Sequence, residues 1–242
     1  DALTTFVTAG LIAWKVPETR PADIHHEPAI AGLARVARDR TFVVFAVLHL
    51  IVLIVFGQFQ LGLPLDMKAH GQGSRSFSWL MAFNCIGVVL LQPRLSARLR
   101  GVDGSRMLAL SAVLVGAGYG LNGLVPWLAD AAAGLGLGDV GTWRLALYLL
   151  GAAFWTVGEV IGFPAASALV ADLAPVSLRG RYQGAFAMLW GAAMTFAPIL
   201  GGTGLGALGG PTFWLSCFAV ALAVALGHLA AGPSRRVRLA VS

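Results

Sequence analysis

The sequence predicts an all-α membrane protein with six transmembrane helices. Three observations predict it. Hydrophobic residues fill 57% of the 242 positions and charged residues only 12%, about half the charged share of a soluble domain. Six apolar stretches are each long enough to cross a hydrocarbon core of about 30 Å. All but three of the 17 Lys and Arg fall on one side once alternate spans are traced through the membrane. The net charge of +6 therefore reflects topology in a lipid bilayer. Basic residues sit in short loops between apolar runs, so nucleic acid is not an implied partner.

Residues 1–16 are apolar up to Trp14 and Lys15. About 13 helical residues reach only some 20 Å, too short to span. The stretch is read as the end of a preceding transmembrane helix, which implies an N-terminal six-helix half before it. Residues 17–40 form the one sizeable polar segment, a central cytoplasmic linker. Pro17, Pro21 and Pro28 favour extended chain in its first part. Ile30, Leu33 and Ala37 recur at helical spacing opposite Arg35 and Arg38, as in a short surface helix.

The spans are placed at about 41–63, 76–96, 107–128, 143–171, 183–203 and 211–231, making 41–231 a six-helix bundle. Residues 232–242 are a basic cytoplasmic tail. With the linker in the cytoplasm, only Lys68, Arg75 and Arg144 lie outside. Trp79, Trp127, Trp143 and Trp214 fall near outer span ends, as an aromatic belt requires. Along the fifth span a stripe of Gly184, Ala187, Gly191, Thr195, Pro198 and Gly202 shares one face and is expected to pack helices closely.

Enzyme chemistry finds no support. Gly118-Gly120-Gly123 and Gly204-Gly206-Gly209 match a dinucleotide pattern, but neither follows a strand. Gly-x-Ser-x-Gly is missing, and no pair of acids within a span is placed for a metal. No cofactor and no metal are implied. Cys85 and Cys217 sit in apolar runs, where Cys acts as a small hydrophobe.

The informative residues are ionisable or polar at membrane depth. Glu159 lies near the midpoint of the fourth span. A charge there costs about 2.5–3.5 kcal/mol on insertion scales, so such a residue faces a cavity or a partner. It can exchange a proton, attract a cationic substrate, or lock helix packing. His49 in the first span titrates in the physiological range when solvated. Gln58 and Gln60 in the first span, Asn84 in the second and Asn122 in the third line a polar path or bond between helices. His228 reads as interfacial. At the cytoplasmic face Asp172 meets Arg179 and Arg181, with Arg94 and Arg98 in the neighbouring loop, a set suited to a gate.

These residues resemble the Major Facilitator Superfamily, and in detail its bacterial drug:proton antiporter-like members. Val16-Pro17-Glu18-Thr19-Arg20 is similar to the exit of its sixth helix. Gln60 to Leu65 with His70-Gly71 is similar to the outer end of its seventh. Gly158-Glu159 through Pro164, with Asp172 to Pro175 and Arg179 to Gly184, is similar to its tenth helix and the loop after it. The loop at Gln92 to Gly101 keeps the arginines of the second loop motif but lacks its Gly-x-x-x-Asp-Arg core. The resemblance implies two inverted three-helix repeats, with the first helix of each lining a path against the other half. It implies a secondary transporter that moves a small molecule by proton-coupled efflux in the cell (inner) membrane. A metabolite uptake symporter and a non-transporting scaffold or sensor are the alternatives.

Overall fold

A computed structural model describes residues 2–16 and 29–241. The Val16–Arg20 motif and the extended 17–28 stretch fall largely outside the described residues. The described chain is all-helical. Its helices are α1 (Ala2–Lys15), α2 (Ala29–Arg38), α3 (Arg40–Phe56), α4 (Gly62–Ala69), α5 (Ser74–Arg98), α6 (Gly104–Asn122), α7 (Val125–Gly134), α8 (Val140–Leu173), α9 (Arg179–Leu208), α10 (Gly210–Ala230) and α11 (Gly232–Val241). Among the described residues six spans are long and apolar enough to cross a membrane: Arg40–Ala69, Ser74–Arg98, Gly104–Asn122, Val140–Leu173, Val176–Leu208 and Gly210–Arg238. The protein is a multi-pass membrane protein.

Local chemistry sets the ends. Three spans start at an aspartate that caps the first turn, satisfying N–H groups that have no carbonyl partner within the helix. Asp39 Oδ1 accepts from the Thr41 and Phe42 amides, Asp103 from that of Arg106, and Asp139 from that of Thr142. The third span stops at Asn122 instead of 128. The chain turns at Gly123 and Leu124, and Pro126 then opens α7 in a first-turn position it favours. Among the α2 residues whose burial is described, Val36 is buried and joins Phe42 and Phe45 in the core, whereas Ala37 is exposed.

α6 stands at the centre, between α8 and α10. Its glycines make that possible. A Cβ at Gly118 would meet the Gly151 carbonyl oxygen of α8 at 2.5 Å, and one at Gly120 would meet Phe218 of α10 at 2.8 Å. The two refused dinucleotide glycines are thus contact points between helices. Between them Tyr119 stacks on Trp155 (6.0 Å) and Trp214 (5.7 Å), and its hydroxyl donates to the Phe56 carbonyl at 2.7 Å. One side chain ties α6 to α3, α8 and α10. Trp214 is fully buried there, so it belongs to the core and not to an aromatic belt.

The fifth-span stripe behaves differently from its expectation. Within this chain Gly184, Ala187, Gly191 and Thr195 are exposed. The buried residues of this part of α9 are Ala193, Ala197 and Gly201, on an adjacent face, and the last two meet the first span. A Cβ at Gly57 would lie 2.7 Å from Ala197 Cβ, and the Gly62 and Gly201 backbones touch.

Candidate functional site

Glu159 is half-buried on α8. Asn84 of α5 sits opposite it. The Asn84 amide Nδ2 donates to Glu159 Oε2 at 2.9 Å and to Thr156 Oγ1 at 3.0 Å. Gly87, one turn along α5, permits this approach, since a Cβ there would lie 3.0 Å from Thr156 Cγ2. From the other side, Ser111 Oγ of α6 donates to the Gly158 carbonyl at 2.7 Å. The segment bearing Glu159 is therefore pinned by two helices. Among the described residues Oε1 of the carboxylate has no hydrogen-bond partner.

Phe163 follows Glu159 by one helical turn, on the same side of α8. It forms part of an aromatic wall. A cavity of about 270 Å³ is lined by His49, Leu53, Phe163, Gln183, Phe186, Ala187 and Trp190. The His49 ring is buried and stacks between Phe45 and Phe186, with both centroids 5.4 Å away. Phe163 stands edge-on to Trp190 at 5.4 Å and to Phe56 at 5.1 Å. Such faces suit a flat apolar molecule, and a carboxylate one turn away could receive a cationic group. The sequence reading missed Phe186 and Trp190. Aromatic residues in an apolar run carry no mark that separates a lining face from a lipid face.

The other polar residues do not share one path. Gln58 is buried and donates to the Ile54 carbonyl at 3.1 Å and the Ala197 carbonyl at 3.0 Å, bonding α3 to α9. Its Oε1 is buried in the Gly62–Gly201 seam without a donor. Gln60 is exposed and its Nε2 lies 3.1 Å from Met194 Sδ. Asn122 is buried beside Gly151, with no acceptor for its Nδ2.

At the end bearing the linker, Asp172 and Arg179 line one open cavity of about 660 Å³ together with Arg238. Asp172 makes no ion pair within 4.0 Å among the described residues. Arg94 is exposed and donates to the Leu90 carbonyl of its own helix at 2.6 Å. Arg98 is exposed near the end of α5, and Arg181 is half-buried. The joined groups at this face centre on Asp39. Its Oδ2 accepts from Tyr182 Oη at 2.7 Å and lies 3.9 Å from Arg238. Arg236 pairs with Asp103 at 3.2 Å. Burial alone would raise the Asp103 carboxyl, but the Arg106 amide, the Arg236 guanidinium and the Ser105 amide together hold it below its usual range.

His228 is buried within the bundle near the end of α10. Its Nδ1 accepts from Arg235, whose Nη1 and Nη2 both lie 3.3 Å away, so the Arg235 guanidinium fixes the ring with the proton on Nε2. At the opposite end a further cluster went unseen in the sequence. Tyr148 Oη donates to buried Asp66 at 2.6 Å, with His70 Nδ1 3.1 Å from the same hydroxyl. Arg144 bridges the His70 carbonyl and Asp130, each at 3.2 Å. No protein-family model matches the chain, and no curated protein shows significant similarity to it.

Proposed function

We propose that the chain is the C-terminal six-helix half of a secondary transporter of Major Facilitator type, which exports small amphipathic molecules in exchange for protons by alternating access. The observation that carries this reading is the half-buried Glu159, held by one oxygen on Asn84 and one turn from an aromatic-lined cavity. A carboxylate in that position can be neutral when a proton is bound and attract a cation when it is not. Asp172 and Arg179 would form part of a gate at the cytoplasmic face. The exposed face of Gly184, Ala187, Gly191 and Thr195 on α9 is small and smooth, as a surface facing a second six-helix half would be. The Lys and Arg bias supports a cytoplasmic linker and a cytoplasmic α11, in a protein of the cell (inner) membrane.

The test uses the protein with all its spans, reconstituted into liposomes under an imposed pH gradient. Tetraphenylphosphonium serves as a lipophilic cation probe. Glu159→Gln should slow gradient-driven movement by about tenfold or more, roughly 1.4 kcal/mol, while Glu159→Asp retains part of it. Transport and pH dependence that survive Glu159→Gln would remove Glu159 from the mechanism.

A further inference from the structure

We infer that the crevice between the start of α3 and the junction of α10 with α11 is a binding site for the phosphate headgroup of an acidic phospholipid. The crevice has a volume of about 300 Å³, the lower end of ordinary ligand sites. Arg40, Thr41, Ser234 and Arg235 supply its polar lining, and no acidic side chain lines it. Two guanidinium groups and two hydroxyls suit a phosphodiester, which offers only acceptors and one negative charge.

Arg235 makes the site more than a basic surface. It is only 2% exposed, yet among the described residues no carboxylate lies within 4.0 Å of it. Its partners are neutral: Ser105 Oγ at 3.1 Å, His228 Nδ1 at 3.3 Å and the face of Phe45 at 5.8 Å. Its Nε is buried with no acceptor. A cation withdrawn from water without a counter-charge is costly, and an anion in the adjoining crevice offsets that cost. The acid that acts on Arg235 through its charge, Asp103, lies beyond 4.0 Å and is already paired with Arg236 at 3.2 Å and engaged by the Arg106 amide.

The surroundings point to a lipid and not to free phosphate. Val44 is 47% exposed and lines the crevice, and Val47, one turn further into the span, is 52% exposed. On α10 Leu226 is 67% exposed. An amphiphile with its phosphate between Arg40 and Arg235 would lay its chains along these residues, in the membrane.

The purified chain in dodecyl maltoside is melted with added phosphatidylglycerol, phosphatidylcholine or inorganic phosphate. Phosphatidylglycerol should raise the midpoint, with phosphatidylcholine at equal mole fraction and phosphate at equal concentration raising it much less. Arg40→Gln should weaken the phosphatidylglycerol effect about fivefold in apparent affinity, and Ser234→Ala should weaken it measurably. Arg75→Gln, at the other membrane end, should leave it unchanged. Equal responses to the two lipids overturn the inference, as does an equal loss in Arg40→Gln and Arg75→Gln. An effect reproduced by inorganic phosphate assigns the crevice to a soluble anion and overturns the lipid. Because Arg40 is exposed and Arg235 is left in place, the variants test binding without removing a buried group.

Discussion

α6 and α9 are both glycine-rich and both span the membrane, yet they occupy opposite environments. Of the most apolar stretch of each, 56% is buried in the span of α6 and 17% in that of α9. α6 uses its glycines on two sides, toward α8 and α10, and is capped by Asp103. α9 presents Gly184 and Gly191 to open space and starts without a side-chain cap. Composition thus says that a helix can approach another closely. It does not say whether the neighbour lies within the same six-helix unit. The difference divides the molecule into a fixed centre, α6 with α8 and α10, and an outward face on α9.

The sharpest way to break this comparison is to fill a glycine on each helix. Gly118→Leu forces a side chain against the α8 backbone, where nothing can move aside, and should cost about 3 kcal/mol or more. In the six-helix chain by itself Gly191→Leu meets nothing within 4 Å and should stay within about 0.5 kcal/mol. Thermal melts of the two variants in detergent decide it, and equal losses would end the distinction. A smaller effect is expected at the hinge of the centre. Tyr119→Phe keeps the stacking on Trp155 and Trp214 but leaves the buried Phe56 carbonyl without its donor, at a cost of about 1–3 kcal/mol. Chemical denaturation would measure it, and a neutral result would show that water replaces the hydroxyl.

The smallest effect concerns the caps. Asp103→Ala should destabilise by about 1 kcal/mol at neutral pH, and no such residue exists to remove at the start of α9. The sign with pH follows from the lowered carboxyl. Stability from the ionised cap is fully present above the unfolded value of about 3.9. It disappears as pH falls through the lower folded value. The wild-type advantage over Asp103→Ala should therefore shrink below about pH 4, read from melts across an acid series. A constant difference at all pH values would mean that the cap does not act through its charge.

Six spans were legible because apolar length survives any arrangement of neighbours. Their outer details were less so. The break after Asn122 had a local sign, Pro126, but an apolar run on both sides hid it. Asp39 and Tyr182 meet across 143 positions and Asp66 and Tyr148 across 82, and no spacing rule joins such pairs. Glu159 stood out because a carboxylate is costly in lipid wherever it points. Its partner Asn84 was visible only as one of several polar residues, since choosing it requires knowing that α5 lies against α8. Arg235 was hidden more deeply. An arginine after the last span reads as a topology signal, yet Arg235 is 2% exposed while Val237 nearby is 68% exposed. Ser105 and His228 draw the guanidinium inward instead.

Asp39 also sets an order of events during synthesis. It stands before all six spans, whereas Arg235 and Arg238 lie at the end of the last. Capping of α3 by Asp39 needs only the next few residues and can form as the first span emerges from the ribosome. The contact with Tyr182 must wait for the fifth span, and those of Arg238 with Asp39 and Arg235 with His228 wait for the sixth. At this end a residue that precedes the first span is therefore fastened to residues of the fifth and the last. A nascent chain arrested before α11 would hold α10 yet leave His228 and Ser105 without the guanidinium that joins them.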